Sequence, residues 1–120
     1  MKKIILLALT IFSTAAVAIV ALKPISLSKT VAATGTPEAI TATKTLSPTV
    51  FIQAKPGNTQ NVTIGDSVAQ HYVLIPGASI NLTDGAFNQN DYDFDLSKIY
   101  VKVLVNGEGV NVFYVGGPLN

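Results

Sequence analysis

The pattern of apolar and polar side chains divides the chain into three stretches. From Ile4 to Leu22 every residue is uncharged and most are apolar. From Lys23 to Pro48 no apolar period persists, and Thr, Ala, Ser and Pro dominate. From Thr49 onward, short runs alternate with a period of two, which places every second side chain on one face of a strand. Thr49–Ala54 puts Val50, Ile52 and Ala54 together. Asn61–Ile64, His71–Ile75, Ser79–Leu82, Ile99–Val105 and Val110–Val115 repeat the pattern. Turn residues separate these runs: Lys55-Pro56-Gly57-Asn58, Gly65-Asp66-Ser67 and Pro76-Gly77. In Pro76-Gly77 the proline presets φ and the glycine accepts the positive φ of a type II turn. Strands at this spacing predict an all-β domain, a small antiparallel β-sandwich or barrel of about six or seven strands.

The last two runs predict a specific pairing. Asn106-Gly107 is the preferred pair for a two-residue type I′ hairpin. That turn sets Val103 opposite Val110, Val101 opposite Val112 and Ile99 opposite Tyr114; a four-residue loop, Asn106 to Gly109, would shift the partners by two and keep the same faces. These six side chains are the predicted core face. Tyr100, Leu104 and Phe113 fall on the other face, which is therefore apolar enough to be covered by another chain.

Length sharpens this picture. With residues 1–22 read as a signal peptide or transmembrane anchor and 23–48 as an extended linker, residues 49–120 form the domain. A domain of roughly 70 residues buries only about 60% of its unfolded surface. The chain has no cysteine, so no disulfide supplements that core, and association with a partner gains weight. The first stretch begins Met1-Lys2-Lys3. Ala16-Val17-Ala18 supplies a signal-peptidase pattern, yet the apolar run continues to Leu22 and is long enough to cross a bilayer as a helix. Both readings export everything after Lys23. The linker composition cannot bury enough apolar surface to offset ordering; its end near Ile40–Leu46 could add an edge strand, but the alternation there is weak.

Charge excludes one class of partner. The chain carries no arginine, and the stretch after Pro48 is net acidic. Nucleic-acid binding requires a basic face, so none is expected.

Candidate chemistry is sparse. Gly65-Asp66-Ser67 matches the opening of one esterase signature, but a serine nucleophile needs a base and an orienting group. The sole histidine, His71, follows too closely for that; a turn held by Asp66 accounts for the motif. Asp91, Asp93 and Asp95 alternate, with Tyr92 and Phe94 between them. They are candidates for calcium binding together with Asp84, Asn88 and Asn90, but Leu96 stands where a calcium loop has glycine. A solvated edge strand, its acids set against sheet-to-sheet pairing, is the preferred reading. A lone His71 does not make a zinc site, and no cofactor is predicted. Asn61-Val62-Thr63 and Asn81-Leu82-Thr83 fit the glycosylation sequon.

The segments VFIQAKPGNTQNVTIGDS at 50–67, LIPGASI at 74–80 and LSKIYVKV at 96–103 resemble a small β domain found among phage and virion-associated structural proteins. The resemblance implies a fold and an assembly role. The apolar N-terminus and the Asp91–Asp95 stretch depart from that pattern. The sequence thus predicts a non-enzymatic, exported structural module, virion-associated or at a cell surface. Its partners would be its own copies or another surface or virion protein, with the membrane engaged through residues 4–22 where these are retained. The alternative is a glycan-binding module with Tyr72, Tyr92 or Tyr100 as stacking platforms.

Overall fold

The computed structural model describes residues 22–83 and 93–118, and among these it is all-β with antiparallel pairing throughout. The strands are β1 (Leu22–Thr30), β2 (Glu38–Ala39), β3 (Leu46–Ser47), β4 (Thr49–Ala54), β5 (Val62–Gly65), β6 (Tyr72–Leu74), β7 (Ser79–Thr83), β8 (Phe94–Asp95), β9 (Tyr100–Lys102) and β10 (Gly109–Pro118). A 3-10 turn, Leu96–Lys98, precedes β9. One sheet has the order β1-β10-β4-β7 and the other β2-β9-β5-β6, while β3 and β8 form a two-stranded ribbon.

The alternating positions build the core. Val50, Ile52 and Ala54 of β4 and Val110, Val112 and Tyr114 of β10 are buried from the first sheet. Val62, Ile64, Leu74 and Val101 are buried from the second, and Val31, Ile40, Leu96 and Val103 fill in from connecting segments. Each such aliphatic side chain contributes about 1.5–3 kcal/mol relative to exposure. The predicted runs over 49–54, 61–64, 71–75 and 79–82 all become strands. The turns at 55–58 and 75–78 close with bonds from Asn58 N to Lys55 O (3.0 Å) and from Ala78 N to Ile75 O (2.9 Å), with Gly77 at φ 84°.

Two expectations are corrected. Residues 23–48 are not a linker preceding a domain at 49–120. β1 pairs along its whole length with β10, from Leu22 opposite Pro118 to Thr30 opposite Gly109, after a register shift at its start. Ile25 and Leu27 pack on the core from β1, and Val31 and Ile40 are buried in it. Ser47 is fully buried, its hydroxyl accepting from Val115 N at 3.1 Å and donating to Thr49 O. The alternation was present in Ile25-Ser26-Leu27-Ser28, but an edge strand buries only one face and one margin. Polar residues therefore diluted its signal.

The closing hairpin is the second correction. β9 pairs with β2 and β5, and β10 pairs with β1 and β4, so the two belong to different sheets. Gly107 has φ 87°, whereas among the described residues, Asn106 included, no non-glycine residue has positive φ. Asn106 therefore cannot adopt the first central position of a type I′ turn. The bond from Glu108 N to Val105 O (3.3 Å) closes a turn with the φ pattern of type II, which splays flanking strands rather than pairing them. Ile99, Val101, Val103, Val110, Val112 and Tyr114 still contribute to the core. They meet across it instead of lying side by side.

The register also sorts the ends of the body. β1 enters and β10 leaves at one end, beside Thr49 and Thr83. At the opposite end lie four turns, around Gly35, Gly57, Gly77 and Gly107. Backbone bonds stitch them: Val31 N to Glu108 O (2.9 Å), Gly35 N to Val103 O (3.1 Å), Gly107 N to Val31 O (3.0 Å) and Lys55 N to Gly109 O (3.1 Å).

Candidate interaction face

The outward face of the β1-β10-β4-β7 sheet follows from its buried one. Between the buried residues of β4 lie Thr49, Phe51 and Gln53, and between those of β10 lie Asn111, Phe113 and Val115. β1 contributes Pro24, Ser26, Ser28 and Thr30, and β7 contributes Ser79, Asn81 and Thr83. None of these side chains is charged. Among the described residues a charge reaches the face at its corner, where the Lys55 ammonium donates to Thr30 Oγ1 at 3.0 Å.

Phe51 and Phe113 are directly opposite each other on adjacent strands, which brings their Cβ atoms to about 5 Å. They remain 42% and 51% exposed. Ser26 and Asn81 complete their row across the four strands. Around them the amides engage one another loosely: Asn111 Nδ2 donates to Gln53 Oε1 at 3.4 Å and Thr49 Oγ1 to Asn81 Oδ1 at 3.5 Å. Two aromatic rings at the centre, amides and hydroxyls around them and almost no charge match the composition of protein interface cores and their rims.

The predicted face of Tyr100, Leu104 and Phe113 is not assembled. Phe113 lies on the first sheet. Tyr100 is on β9 of the second sheet, opposite Gly65 and Ala39. Leu104 projects from the β9–β10 turn, 60% exposed. The dispersal follows from the corrected hairpin, because strands in different sheets do not share an outer face. Phe51 is Phe113's neighbour through the pairing of β4 with β10, which alternation alone does not indicate, since it tells the face of a side chain and not the order of the strands. The tyrosine platforms are also divided. Tyr72 pairs with Ile64 and Tyr100 with Gly65, successive residues of β5, so they project to opposite sides; Tyr92 lies outside the described residues.

The acidic run resolves differently. Asp91, with Asp84, Asn88 and Asn90, lies outside the described residues. Asp93 is exposed. Asp95 Oδ1 accepts from Ser97 Oγ (2.7 Å), Ser97 N (3.0 Å) and Thr45 N (3.1 Å). Its carboxyl is held below the usual aspartate range, mainly by the Ser97 hydroxyl. It therefore caps the 3-10 turn and ties it to the segment before β3. Among the described residues, no three of His, Cys, Asp and Glu come together as a metal site.

Gly65-Asp66-Ser67 is a turn. Asp66 Oδ1 accepts from Val68 N (2.7 Å) and Ala69 N (2.8 Å), which lower its pKa.

Two buried polar residues carry the four-turn end. Asn58 exchanges bonds with the Gly109 peptide, Nδ2 to O at 2.8 Å and N to Oδ1 at 3.2 Å. Glu108 accepts from Thr59 Oγ1 (2.6 Å), Thr59 N and Gln60 N (3.4 Å), and the Thr59 hydroxyl is the chief cause of its lowered pKa. Neither residue showed in the sequence pattern, since both interrupt it.

No protein-family model matches the chain, and no curated protein or solved structure matches it.

Proposed function

We propose that this protein is a non-enzymatic, exported structural module, a β-sandwich that assembles with copies of itself through the outward face of the β1-β10-β4-β7 sheet. The observation that carries this reading is the pair Phe51 and Phe113, exposed side by side in a face where Lys55, at a corner, is the one charge among the described residues. Two such faces approach without bringing like charges together, and the rings supply the desolvated centre that an interface needs. A two-fold contact of this kind uses the same patch on both copies. The composition supports a non-catalytic role: one histidine, no cysteine and no arginine. Export rests on the basic start and the apolar run to Leu22, which acts as an anchor or as a removable signal. The module belongs at a cell surface or on a virion, the setting to which the resemblance of 50–67, 74–80 and 96–103 points.

Single cysteines test the contact, because the native chain has none. Asn111→Cys lies on the proposed face and Lys102→Cys on the other sheet. Under mild oxidation the full-length Asn111→Cys chain is expected to form a disulfide dimer and Lys102→Cys to stay monomeric. Equal cross-linking of both, or of neither, sinks the assignment.

A further inference from the structure

We infer that the end of the body where β1 begins and β10 ends sits directly against a lipid bilayer, with the four-turn end held away from it. This rests on the reading of residues 4–22 as a retained membrane anchor, which the continuation of the apolar run past Ala18 favours.

The decisive observation is where the sheet starts. Leu22 is the last residue of the uncharged run and the first residue of β1, already opposite Pro118 of β10. A linker over 23–48 would have let the body wander as much as roughly 80 Å from the membrane when fully extended. That freedom is absent, because those residues are strands and core. Lys23 comes next, exposed, where its ammonium reaches the headgroup layer while its stem stays near the apolar run.

The same register names what lies beside the bilayer. Pro24, Val115, Thr49 and Thr83 form the terminal row of the first sheet. Attraction to anionic lipid does not hold it there, since Asp93 and Asp95 lie toward the same end; the covalent connection does. Ala33, beyond the end of β1, lies at the other extreme. The nine residues of β1 place it about 30 Å further out.

The test uses the full chain with one introduced cysteine, Thr83→Cys or Ala33→Cys, both at exposed positions. Each variant is purified from an exporting host, labelled with a fluorophore and reconstituted into phosphatidylcholine vesicles containing headgroup-spin-labelled lipid. Intact mass and vesicle flotation are recorded on the same samples. The expected result is retention of residues 1–22, flotation with the vesicles, strong quenching at position 83 and none above background at position 33. Flotation with equal quenching at both positions, or none at either, overturns the apposition while leaving the anchor standing. A chain cut after Ala18 that does not float overturns both.

Discussion

The two sheets have the same number of strands and opposite fates on their outward faces. The β1-β10-β4-β7 sheet has long strands and leaves Phe51 and Phe113 open to solvent. The β2-β9-β5-β6 sheet is short-stranded, and its own chain covers it in part. At Gly65 a Cβ would run into the Ala69 carbonyl and the Gln70 backbone, so the 66–71 loop lies on the strand. The Thr63 hydroxyl, between Val73 and Lys102 in the sheet, is shut away from solvent with no partner among the described residues. The loop shields the Gly65 end of the second sheet, while Val73 on the same face stays 54% exposed. The first sheet differs in setting two aromatic rings side by side, with no loop of the described residues between them and solvent.

This contrast can be broken from several sides. Ile52→Ala removes a fully buried side chain beneath the open face and is expected to lower stability by about 2–5 kcal/mol in denaturant unfolding. Gly65→Ala should displace the loop that covers the second sheet, at a cost of about 1–3 kcal/mol. Faster hydrogen exchange at Val68 and Ala69 would identify that loop as the element lost. Asn58→Ala takes the side-chain partner from the buried Gly109 N–H, while the Gly109 carbonyl keeps its bond from Lys55 N, and is expected to cost about 1–3 kcal/mol, read as a lower thermal midpoint.

Acid acts more gradually. Glu38, Asp66, Asp95 and Glu108 are all held below their ordinary values by hydrogen bonds, with Lys29 the main partner for Glu38. A carboxyl with a lowered native pKa stabilises the fold fully above its unfolded value, 4.5 for glutamate. It loses that contribution as pH falls through the native one. The thermal midpoint should thus hold from pH 7 to about 5 and decline below the carboxylate range. Glu108→Gln should lower it at pH 7 and flatten the decline. The smallest effect on stability belongs to the open face. Phe51→Ser with Phe113→Ser is expected to shift monomer stability by no more than about 0.5 kcal/mol per site, while abolishing the Asn111→Cys cross-link. A large loss of stability instead would show that these rings serve the fold.

The fate of each side chain was easier to read than its neighbours. Alternation marked Val50, Ile52, Val101, Val110 and Val112 as inward, and all are buried. It did not reveal which strand each would lie beside. Asn106-Gly107 suits two turn types, and the choice between them decides whether β9 and β10 share a sheet; Asn106's negative φ settled that against the local preference. β1 was concealed because an edge strand of Ser, Lys and Pro has the composition of a tether, and only its partner β10 makes it a strand. The candidate face depended on both unknowns, so Phe113 was found, Phe51 was missed, and Tyr100 and Leu104 were wrongly joined to it.

The pairing of β1 with β10 has a consequence for biogenesis. β10 lies between β1 and β4, so the first sheet stays split until the last-made strand arrives. A chain emerging N-terminus first carries β1 unpaired through most of its synthesis. Contacts this distant along the chain are slow to close, so the first sheet is completed only when the whole of the described chain is present to fold.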